Sequence, residues 1–254
     1  MDIGEHLSES LEYKTLPLPF LNSETVQLFG MEIKAGLSET VIVSWLVMAI
    51  LIITAFFLTR NLKEVPRGPQ AVLEGLIEFL NNFSKEHFGR RARIFGPYIG
   101  TVFLFLFLAN IIPVISPIAV FGREPPFTIK PPTRDINLTA ALAILSIAIV
   151  FISGLRARGF GGWCKNLLHP VPVMLPFNLL EYIIRPTSMC LRLFGNILGG
   201  FIIMQLLEAV APVGVPPVLS IYFDLLDGLI QALVFTFLTT LFVAEAVEVP
   251  GEAS

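Results

Sequence analysis

"TVIVSWLVMAILIITAFFLT", residues 40–59, is twenty residues long, carries no charge and lies between Glu39 and Arg60. An α-helix rises about 1.5 Å per residue, so such a run spans the roughly 30 Å hydrocarbon core of a bilayer. Two more charge-free windows follow, 94–122 and 136–155. Composition agrees: 15% of the 254 residues are charged, against about 25% in soluble domains. Mean hydropathy is +0.76. The expected fold is an all-α polytopic membrane protein.

The last third of the chain reads differently. Its apolar runs are cut by Glu181, Arg185, Arg192, Glu208, Asp224 and Asp227, and "APVGVPP" separates two long helical patterns, about 176–210 and 217–248. A charge near mid-bilayer costs about 2.5–3.5 kcal/mol on insertion scales. Those faces must therefore point at protein or water, and the last two helices read as a long tilted membrane hairpin with a functional face. Between the first two spans, about 70–88, Leu73, Leu76, Ile77, Leu80 and Phe83 form a stripe at helical spacing. That suits an amphipathic helix at the interface or a plain packing helix. The expected organisation is an external N-terminal segment 1–39, a membrane domain 40–248 with five spans, and a tail 249–254.

Charge sets the expected orientation. The connection 60–93 carries seven Lys/Arg and 156–165 carries three, so both are expected on the cytoplasmic side. The N-terminus is then outside and the C-terminus inside, in a cell (plasma) membrane. The first forty residues hold seven acids and two lysines, unlike a signal or transit peptide. A net charge of −3 gives no reason to expect nucleic acid. Two cysteines and three scattered histidines suggest neither a disulfide framework, a metal site nor a cofactor.

Arg192 is the residue that asks for an explanation. Fifteen uncharged residues follow it, and the nearest acid before it is Glu181. Four-residue spacing puts Ser188, Arg192 and Asn196 on one helix face, with Gly195 and Gly199 beside them. Small residues four apart let another helix approach closely. Arg192 is thus expected to project toward a neighbouring helix. Snorkelling to an interface, or glycines that pack two helices of this same chain, are the alternatives. On the next helix Asp224, Asp227 and Gln231 share a face at spacings of three and four. Two such carboxylates suit a proton path, whereas an internal pair with Arg192 would account for one of them.

"RPTSMCLRLFGNILGG" resembles the signature of the a subunits of F-type ATP synthases, and so, in order, do "GPYIGTVFLFLFLANIIPVISP", "PPTRDINLTAALAI", "PFNLLEYIIRP" and "GLIQALVF". The resemblance covers most of residues 65–245. It implies a stator subunit of the membrane motor that provides two half-channels, partnered by a rotating c-ring, the peripheral stalk subunit b and the rest of the F0F1 complex, amid membrane lipid. Arg192 matches the stator arginine that faces the ring's carboxylates, Asn196 the asparagine one turn on, and Gln231 the glutamine opposite. Ser188, Gly195 and Gly199 would pack closely on the ring. Asp224 stands where members often hold a polar or ionisable residue of the outer half-channel, and Asp227, one turn deeper, would extend it. Glu181 and Asn178 match positions of the inner one. Asp135 and Asn137 match a motif at the outer start of the third span, where helix capping is the alternative role. Phe201 stands where many members carry an acid.

The expected function is ion translocation coupled to rotation and ATP synthesis. The expected ion is a proton, with sodium as the alternative. No phosphate loop of the G-x-x-x-x-G-K-[ST] type occurs, so the chain is expected to be a non-catalytic component. A stand-alone secondary transporter is disfavoured by the lack of internal repeats. An intramembrane protease is disfavoured by the lack of H-E-x-x-H and G-x-S-x-G.

Overall fold

The computed structural model describes residues 15–16, 25–28, 31–34, 37–60, 66, 68–115, 131–167, 175–210, 219 and 221–247. Most of the expected external segment, the end of the second span beyond 115, the 211–217 breaker and the 249–254 tail lie outside the described residues.

Among the described residues, six α-helices form the body: α1 Glu39–Thr59, α2 Pro69–Phe88, α3 Ala92–Ile115, α4 Ile136–Leu167, α5 Leu175–Val210 and α6 Gly228–Val247. Ahead of them, β1 (Thr15–Leu16) pairs antiparallel with β4 (Leu37–Ser38), and β2 (Thr25–Leu28) with β3 (Met31–Lys34). Among the described residues, five helical stretches are long and apolar enough to cross a membrane: α1, α2–α3, α4, α5 and α6 with its lead-in. The 43-residue stretch Gln70–Ile112 is not one straight rod. Gly89, at φ 53, ends α2 by donating its N–H to Lys85 O, and α3 starts anew after it. Only glycine adopts that φ without strain.

The helix of the amphipathic stripe is present and turns most of the expected face inward, with Leu73, Leu76 and Phe83 half-buried. Leu80, Ser84 and Phe88 are buried while Ile77 is 43% exposed. That face meets α3, where a Cβ at Gly96 would stand 3.5 Å from Ser84 and one at Gly100 would stand 3.7 Å from Leu80. The two glycines let α2 pack closely there. In α4, Gly159 has φ 70 and ψ 165, so the helix breaks there rather than running straight to Leu167.

The core draws on five helices: Leu80, Val102, Phe103, Leu106, Ala143, Met189, Leu193, Ala232 and Phe235 pack together. In that arrangement α6 is central and α5 peripheral. Of the apolar window of α6, 44% is buried, against 11% for α5. The two arms of the expected hairpin lean mainly on α3 and α4 rather than on each other.

Basic side chains gather where α6 ends. Arg91 donates to Val247 O, and Arg158 Nη2 donates to Glu245 O at 3.1 Å. Cations there satisfy final-turn carbonyls and oppose the negative end of the helix dipole. At the opposite end, a short turn Pro132–Arg134 leads into α4.

Candidate functional site

Residue 192 is mid-helix in α5, seventeen residues from Leu175 and eighteen from Val210. Helical periodicity splits this segment into two faces. Met189, Cys190, Leu193 and Ile197 are buried. Ser188, Leu191, Arg192, Gly195 and Asn196 are exposed. The apolar side is used up within the chain, and the polar side with its glycines is left outward.

That outward side is open. A Cβ added at Gly195 or Gly199 would meet nothing within 4 Å. The two glycines therefore do not serve contact with another described segment of this chain. Among the described residues Arg192 has no hydrogen bond or ion pair; both ion pairs found belong to Arg185. Asp227, half-buried, is not its partner. The side chain of Asp224 lies outside the described residues, although its backbone belongs to the π-helical turn Ile221–Asp227. Such wide turns often occur at functional sites.

Beside the open face, Asn196 Nδ2 donates to Gln231 Oε1 at 3.1 Å, joining α5 to α6. Gln231 is buried at 3% exposure, while Asn196 is exposed. A short polar ridge thus connects the arginine helix to the buried helix behind it.

Toward the end where α6 begins, a second polar group is fully enclosed. Thr133 Oγ1 donates to Asn110 Oδ1 at 2.6 Å, and Asn110 Nδ2 donates to Gly228 O at 3.3 Å. A Cβ at Gly228 would stand 2.7 Å from Asn110 Cβ, so only glycine fits there. Asp135, 6% exposed, accepts from Thr40 Oγ1 at 2.8 Å and from Asn137 N at 2.9 Å. It caps α4 and fastens α1 to it. Asn137 itself is exposed. Next to this group the buried Arg134 guanidinium lies 4.3 Å from the centroid of the Phe201 ring. Asp135, Asn137 and Asp227 are thereby assembled at one end of the molecule.

Glu181 and Asn178 occupy the other end. Asn178 is half-buried in the first turn of α5. Glu181 is exposed and paired with Arg185 at 2.7 Å, and Arg185 also reaches Glu245 of α6 at 2.9 Å. Between the two acid-bearing ends stand Arg192, Asn196 and Gln231.

Sequence reasoning did not single out Asn110, Thr133 or Glu245. The Glu181–Arg185 pair was readable as i,i+4 spacing. Glu245 gave a fainter signal, one acid after a charge-free run of α6. Asn110 inside an apolar window gave none, because its partners are 23 and 118 residues away.

Comparison with known proteins bears on this arrangement. The family described as ATP synthase A chain matches residues 41–244. The ATP synthase subunit a of Propionigenium modestum, named as sodium ion specific, is 38% identical over 225 residues, 85% of this chain and 78% of that protein. The ATP synthase subunit a of Moorella thermoacetica is 35% identical over 209 residues, 82% of this chain and 90% of that one. With a family match over most of its length and relatives of this closeness, the chain belongs to the ATP synthase A chain family.

Proposed function

We propose that this multi-pass membrane protein is the ion-translocating stator of an F0 motor, coupling ion flow to rotation of a c-ring and to ATP synthesis. One observation carries the reading: a mid-helix arginine on an exposed face, without a partner among the described residues, flanked by glycines beside open space. A guanidinium in hydrocarbon needs an anion. The ring's membrane carboxylates supply one, and each moves on as the ring turns. Near Arg192 a carboxylate ionises, because a close cation lowers its pKa. Arginine does not release its own proton, so it attracts the rotor site without opening a direct leak.

The two ends divide the remaining work. An ion enters past Asp135, Asn137, Asp224 and Asp227, neutralises a rotor carboxylate, and leaves near Glu181 and Asn178 after almost a full turn. Asn196 and Gln231 hold the ridge behind the arginine, and Ser188, Gly195 and Gly199 admit the ring helix. Each elementary charge crossing the membrane releases about 2.3 kcal/mol per 100 mV. The basic residues around the end of α6 support a cytoplasmic position for that end and an outer N-terminus. The catalytic head and the peripheral stalk subunit b are other chains, and this one is non-catalytic.

The ion in this reading is a proton. Sodium is the second reading, favoured by the name of the relative from Propionigenium modestum. In the assembled complex, Arg192→Ala should abolish ATP-driven pumping while assembly persists. Sustained coupled pumping by that variant would overturn the assignment. Pumping by the native complex should be independent of Na⁺; a requirement for millimolar Na⁺ would select the sodium reading.

A further inference from the structure

Arg185 lies seven residues before Arg192, two turns down the same face of α5. Its guanidinium forms a fork with Glu245 of α6, Nη1 to Oε2 at 2.9 Å and Nη2 to Oε1 at 3.1 Å. The same Nη2 donates to Glu181 Oε2 at 2.7 Å. The plane of the group lies over the Phe242 ring, 4.7 Å from its centroid. On α6 the backbone of Glu245 is held in turn, its carbonyl accepting from Arg158 of α4. Fork geometry fixes distance and direction together, unlike a single ammonium contact.

The arms α5 and α6 are otherwise loosely joined, since α5 packs mainly on α4 and α6 on α3 and α4. Two polar links join them, Asn196–Gln231 and Arg185–Glu245. Two links on antiparallel rods determine both axial register and rotation, whereas one leaves a pivot.

We infer that Arg185 is a positioning residue for ion translocation: through its fork to Glu245 it fixes the register of the Arg192 helix against the Gln231 helix. Its charge is balanced in the process. Bounded by Glu181 and Glu245, it offers no second cationic landing site to an anionic carboxylate two turns from Arg192. Nothing in the assignment of the ion path requires this residue. The inference rests on the stator reading only for its effect on pumping; the register claim stands on geometry.

The test uses the full chain in its assembled complex, with Cys164 and Cys190 replaced by alanine and a reporter pair Asn196→Cys and Gln231→Cys. Oxidative cross-linking of the reporters reads the register; pumping is read in matching complexes without them. Arg185→Ala should slow cross-linking at least fivefold. It should also cut ATP-driven pumping roughly tenfold with ATP hydrolysis retained, as misplacement of a reacting group by an ångström costs up to about a hundredfold. Arg185→Glu combined with Glu245→Arg should restore both readouts, and Arg185→Lys should restore part of each. Unchanged cross-linking or unchanged pumping in Arg185→Ala would overturn the inference, as would a charge swap that restores neither. If Arg185→Ala fails to assemble, Arg185→Lys decides, with full native values in both readouts counting against the fork. If Arg192→Ala pumps normally, the stator reading falls, yet the cross-linking arm still judges the bridge.

Discussion

Two polar regions of this molecule obey opposite rules. The side chains of Asn110, Thr133 and Asp135 each meet a partner inside the chain, and their exposure stays at or below 6%. Around Arg192 the polar groups face outward, and the arginine has no partner among the described residues. The first region is closed as structural polar clusters must be, because an unsatisfied buried group costs about 1–3 kcal/mol. The second makes sense only if something else completes it. On the proposed function, the closed group is scaffold and the open face is the working surface.

Substitutions can break the contrast. The largest effect is expected at the open face, where Gly195→Leu should leave the purified chain as stable as native, within about 0.5 kcal/mol, because nothing lies within 4 Å. In the complex the same change should cut ATP-driven pumping by more than about a hundredfold, by holding a ring helix away. Equal pumping would show the face to be idle. The mirror experiment is Gly228→Val. With Asn110 Cβ 2.7 Å from the new Cβ, the isolated chain should lose about 3 kcal/mol, seen as a lowered midpoint of thermal unfolding in detergent. A native midpoint would deny the close approach. A smaller loss, about 2 kcal/mol, is expected for Asp135→Ala, which removes the cap on Asn137 N and the bond from Thr40. If that variant kept its stability and lost ion flow, Asp135 would belong with the working surface instead.

The open face was more legible in the sequence than the closed polar group. Charge-free windows are long-range statements about solvent, so three of the five apolar helices could be read from them, and the last two from helical patterns cut by charges. The face of Ser188, Arg192 and Asn196 follows from periodicity alone, since its neighbours are on its own helix. The partners of Asn110 are on distant segments, and no local pattern encodes them. The expected stripe of α2 turns inward at Leu73, Leu76, Leu80 and Phe83, whereas the burial of Ser84 depends on Gly96 of another helix, which no local pattern reveals. Asp135 stood between two roles in the sequence; its two hydrogen bonds supply a structural one outright, and ion access there is an additional proposal.

The anchoring of α6 has a mechanical consequence. Gly228 is keyed against Asn110 at one end, while guanidiniums grip the carbonyls of residues 245 and 247 at the other. A rod pinned at both tips does not creep lengthwise when a passing load tugs on the ridge at Gln231. In the proposed motor, recoil from each rotor step would be handed to the surrounding frame, so that successive strokes would begin from the same geometry.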